Sequence, residues 1–78
     1  MNREEFINKV KEGFLARMSA WDSESTQDFI NGAEAEDIIA HEYTYNVECC
    51  KDKGALLSDE SFWSSAISST IQCLALLL

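Results

Sequence analysis

The chain has 78 residues, 46% of them hydrophobic, with eight aromatics, no proline and a formal net charge of −8. A chain so short makes one small domain, and this acidity excludes direct binding to nucleic acid or anionic membranes, whose phosphates would repel it. The spread of aromatics excludes a disordered acidic tail, while the want of proline and the three isolated glycines favour long helices over a sheet with many turns.

Residues 3 to 21 carry Phe6, Ile7, Val10, Phe14, Met18 and Trp21 at spacings of three and four, which predicts an amphipathic helix. Asn2 is its expected N-cap, with Glu5 three residues on, and Leu15 lies off the stripe, where exposure is expected. "DSESTQD" then offers several cap residues, and a short helix near 25–30 is expected to end at Asn31-Gly32, a dipeptide suited to positive φ. Its Phe29 and Ile30 would plug the core.

A second long helix is expected over 33–53, with an apolar stripe of Ile39, Tyr43, Val47 and Cys50 and a stop at Gly54 after Lys51 and Lys53. Tyr43, Tyr45, Val47 and Cys49 also alternate with the period of a strand, but no other segment offers it a partner. The last helix, 58–77, takes Ser58 as its expected cap and has Trp63, Ala66, Ile67, Thr70, Ile71, Leu74 and Leu77 on one face. Serines and Gln72 fill the other face, which would permit close approach of a second helix. The fold class implied is all-α, a small bundle of three main helices with a short extra one.

Three cysteines, two of them adjacent, make no disulfide framework, so Cys49, Cys50 and Cys73 read as reduced packing residues of a cytoplasmic protein. The polar start "MNREEF" lacks an apolar stretch after it, so no signal peptide is expected, and "CLALLL" is too short to span a bilayer. On a helix, Glu34, Asp37, His41, Thr44 and Glu48 share one face, opposite the apolar stripe. That is a solvated face without a second histidine, so neither a metal site nor a cofactor is expected. Cys49 and Cys50 sit late in their helix beside Glu48, where dipole and acid both oppose thiolate formation, and no catalytic residue is expected.

Charge is distributed unevenly. From Met18 through Cys50 there are eight acids, Asp22, Glu24, Asp28, Glu34, Glu36, Asp37, Glu42 and Glu48, and no lysine or arginine. Such a one-signed field steers a basic partner. The implied function is non-catalytic: an acidic surface, with Tyr45 as an aromatic anchor, occupies the basic surface of a nucleic-acid-handling protein and inhibits it, with carboxylates mimicking phosphate spacing. Phages and mobile elements use small acidic inhibitors in this way, anti-CRISPR proteins among them, and would act in the host cytoplasm. The alternative is a helical adaptor, antitoxin-like or assembly subunit. It would bind through a seam of Leu74, Leu76, Leu77 and Leu78, with a homodimer as one form.

Overall fold

The computed structural model describes residues 1–18, 23–54 and 59–77. Among these residues four helices follow one another: α1 (Arg3–Arg17), α2 (Ser23–Ile30), α3 (Ala33–Asp52) and α4 (Glu60–Ala75). The all-α bundle with a short extra helix is therefore the fold.

Helix α1 starts where Asn2 stops being helical, and its Oδ1 accepts the Glu5 N–H at 2.8 Å. Phe6, Ile7, Val10 and Phe14 are buried. The helix ends four residues before the expected position 21, with the Met18 N–H still donating to the Phe14 carbonyl at 3.0 Å. Spacing alone overran the end, because an apolar stripe carries no information about where α2 must turn back onto α1. That return is visible where Phe29 meets Phe14, ring centroids 5.8 Å apart. Leu15 is half-buried against the core rather than exposed, since α1 is covered on more than one side.

The joint at 31–32 corrects a second expectation. Neither residue has positive φ; Gly32 is extended, at φ −79° and ψ 163°, and N-caps α3. Glycine suits this position through closeness instead: a Cβ would lie 3.3 Å from the Asp28 carbonyl oxygen and 3.4 Å from that of Phe29. Positive φ occurs at Gly54, φ +70°, where α3 closes as expected.

Residues 43–49 lie inside the 20-residue α3, so the strand-like alternation is overridden. Thr44 and Asn46, whose polarity made that alternation, donate back to the carbonyls of Ala40 and Glu42 at 3.2 and 2.7 Å. Helix α4 is capped by Asp59, not Ser58, which lies outside the described residues. The Asp59 carboxylate accepts the N–H groups of Ser61 and Phe62 at 3.0 and 3.2 Å. Its negative charge also meets the positive end of the helix dipole. We expect Asp59→Ala to cost about 1 kcal/mol in urea denaturation, and Asp59→Asn to recover most of it.

Direction follows from paired contacts. Phe6 meets Trp63 edge-on, centroids 5.6 Å apart, and seven residues further on Gly13 faces Ile71, whose Cδ1 would be 2.5 Å from any Cβ there. Helices α1 and α4 therefore run parallel, side by side, with glycine allowing their close approach. Helix α3 begins near the Phe14 end and reaches Met1 and Phe6 by Tyr43, so it is antiparallel to both. The Tyr43 hydroxyl donates to the Met1 carbonyl at 2.9 Å, and its ring stacks on Trp63 at 5.5 Å and 19°. Among the described residues, helices α1 and α3 each touch the other three, whereas α4 touches only these two. That leaves one long side of α4 uncovered.

Candidate partner-binding surface

The acidic residues divide by their angular position on α3. Ala35, Ile39 and Cys50 are buried and fix the inward direction. Opposite them Glu34, Asp37, His41, Thr44 and Glu48 are all exposed. From Glu34 to Glu48 the outward strip extends for roughly 21 Å at 1.5 Å per residue. Glu36 and Glu42 are not on it. They flank the core stripe on either side, roughly 120° apart, and Glu42 is half-buried. Glu24 and Asp28 add exposed carboxylates on α2, and Asp22 lies outside the described residues. The acidic group is thus a strip with flanks, not one patch.

Tyr45 is 62% exposed at the edge of that strip. The Cys49 thiol one turn on is the largest influence on its hydroxyl and, with desolvation and Glu42, raises the phenol above its ordinary range. We expect Cys49→Ala to bring the pKa of Tyr45 down toward that of a free phenol, so that it ionises at lower pH. A phenolate absorbance titration of the two proteins would show it; coincident curves would mean that Cys49 does not act on the phenol in solution. The other candidate anchor, Tyr43, is committed to the core through Trp63 and Met1, and Trp21 lies outside the described residues.

The cysteines behave unequally. None of the three is in a disulfide; Cys50 is buried and Cys49 half-buried, but Cys73 is exposed, against the expectation that it packs. It lies about 100° from Leu74 around α4, far enough to leave the core. Among the described residues no three His, Cys, Asp or Glu side chains converge to hold a metal ion. No helix among them is long and apolar enough to cross a membrane.

The leucines at the end of α4 separate in the same way. Leu74 is fully buried and belongs to the core, so it leaves the proposed seam. Leu76 and Leu77 are 81% and 57% exposed, and Leu78 lies outside the described residues. One feature had no signal in the sequence. Because α1 and α4 run parallel, their first turns enclose an open cleft of about 410 Å³, with Glu5 and Lys9 on one wall, Glu60 and Ser64 on the other, and Trp63 and Ile67 at its base. Neither segment alone predicts it, since it depends on how distant helices pair. No family model, curated protein or solved structure matches this chain.

Proposed function

We propose that this chain is a non-catalytic acidic interaction protein that occupies the basic surface of a nucleic-acid-handling partner and inhibits it by occlusion. Phage and mobile-element inhibitors of host defence complexes, anti-CRISPR proteins included, are the class it would join. The observation that supports this is the outward strip of α3: Glu34, Asp37 and Glu48 exposed along one line, with no lysine or arginine between Met18 and Cys50 to break the field. Duplex DNA carries a charge every ~1.7 Å of axis, far denser than three carboxylates over roughly 21 Å. The strip therefore competes through sign and extended shape, not by matching phosphates one for one. Tyr45 at its edge offers a ring against which an arginine of the partner stacks.

The exposed Leu76 and Leu77 support a second reading, a helical adaptor or assembly subunit held by apolar contact. A pull-down from host lysate at low and high salt separates the two. Capture of a nucleic-acid-handling protein that salt releases, and that reversing Glu34, Asp37 and Glu48 to lysine abolishes, supports occlusion. Capture that persists in high salt and survives the reversals, yet is lost on Leu76→Asp, supports the adaptor.

A further inference from the structure

The joint between α2 and α3 contains a dipeptide with chemistry of its own, Asn31-Gly32. The chain has four asparagines, and their settings differ. The Oδ1 of Asn2 accepts the Glu5 N–H at 2.8 Å, and the Nδ2 of Asn46 donates to the Glu42 carbonyl at 2.7 Å. Asn8 lies inside α1 and Asn46 inside α3, followed by the bulkier Lys9 and Val47. Asn31 is exposed, lies between two helices, and is followed by a residue with no side chain.

We infer that Asn31 is a site of self-modification, where the chain converts its own amide to a carboxylate without an enzyme. The Gly32 backbone nitrogen attacks the Asn31 Cγ. That C–N bond forms, the Cγ–Nδ2 bond breaks, and the Gly32 amide proton leaves with Nδ2 as ammonia. Water then opens the resulting succinimide ring. Opening at Cγ gives aspartate, whereas opening at the main-chain carbonyl gives isoaspartate, whose chain runs through the former side chain. One water is consumed and one ammonia released. Glycine favours the closure because it has no Cβ to crowd the ring.

The fold sets where this happens and how fast. Inside α1 and α3 the N–H after each asparagine is tied into the helix and ψ is held at about −42°, far from what ring closure needs. At the joint the Gly32 N–H donates to the Phe29 carbonyl at 3.2 Å, and that bond must open before attack. Joints open more readily than helix interiors, so the reaction proceeds in the folded chain, but more slowly than in an unfolded one. Either product takes the net charge from −8 to −9 and places a carboxylate at the positive end of α3, three residues ahead of Glu34. Isoaspartate also lengthens the main chain by one carbon. Ile30 and Ala35 on either side are fully buried, and a Cβ on Gly32 would already lie 3.3 Å from the Asp28 carbonyl oxygen. The isoaspartate form should therefore unfold at lower denaturant. None of this requires a partner, so it stands apart from the occlusion reading.

The test is peptide mass spectrometry on the chain held in warm, mildly alkaline buffer, beside the same chain unfolded in guanidinium chloride. Cleavage after glutamates puts Asn31 and Asn46 in separate peptides. The Asn31 peptide is expected to gain the mass of an amide turned acid in both samples, several-fold more slowly in the folded chain. Asn2, Asn8 and Asn46 should stay intact in the folded chain over the same period. The converted protein, isolated by anion exchange as the more acidic species, should contain one form that unfolds with Asn31→Asp and one that unfolds at lower denaturant. An Asn31 that stays intact in the folded chain while the unfolded one converts would overturn the proposal, as would folded-state conversion of Asn8 or Asn46 at the rate of Asn31.

Discussion

Phe6→Ala will remove most of the stability of this chain. Phe6 is fully buried, and its ring meets Tyr43 at 5.5 Å and Trp63 at 5.6 Å, so one side chain holds together three helices. Truncating a buried phenylalanine costs about 3–5 kcal/mol, transfer and cavity terms together. Domains of this size have only about 4–12 kcal/mol in total, at 0.05–0.15 kcal/mol per residue. The midpoint of urea unfolding, followed by tryptophan fluorescence, should fall by about half or more, and the near-ultraviolet dichroism of the Tyr43–Trp63 stack should weaken. Leu76→Ala, at the exposed C-cap of the helix that carries Trp63, should shift stability by less than about 0.5 kcal/mol. A loss below about 1 kcal/mol for Phe6→Ala would mean that the three helices do not share this layer.

Reversing Glu34, Asp37 and Glu48 to lysine will abolish capture of the proposed basic partner at physiological salt. Each reversal adds two charges, so the three together take the net charge from −8 to −2. Electrostatic steering changes association rates by about 10- to 1,000-fold, and adjacent like charges at the interface add a further penalty. One of the three also touches stability. Glu34 is in the first turn of α3, where an acid is favoured by about 0.3–1 kcal/mol. The Asp37→Lys, Glu48→Lys double variant avoids that position, and it should retain the thermal midpoint while losing most of the binding. Binding unchanged in both variants, measured by calorimetry at two salt concentrations, would remove the acidic strip from the interface.

Helix existence was legible wherever apolar spacing was regular, as in Phe6, Ile7, Val10 and Phe14. Helix ends were less so. Trp21 extended the stripe of α1 past its true end at Arg17, and the cap of α4 fell on Asp59 beside the expected Ser58, because several residues in that stretch can accept the same N–H groups. The outward positions of Glu34, Asp37 and Glu48 follow from period alone. The burial of Leu74 and exposure of Leu76 required knowing how deep α4 sits, and that depends on α1, far away in sequence. The α1–α4 cleft is of the same kind, for it arises from pairing between distant segments.

The parallel pairing of α1 with α4 also has a consequence in time. The helix made first finds its most extensive contact in the helix made last of the four. Some forty residues separate Arg17 from Glu60, and at 5–20 residues per second their synthesis occupies roughly 2–8 s. Through that interval Phe6, Val10 and Phe14 can be covered only in part, by α2 and α3. The emerging chain therefore passes through a helical but incompletely covered state, and folding finishes only when α4 arrives beside α1.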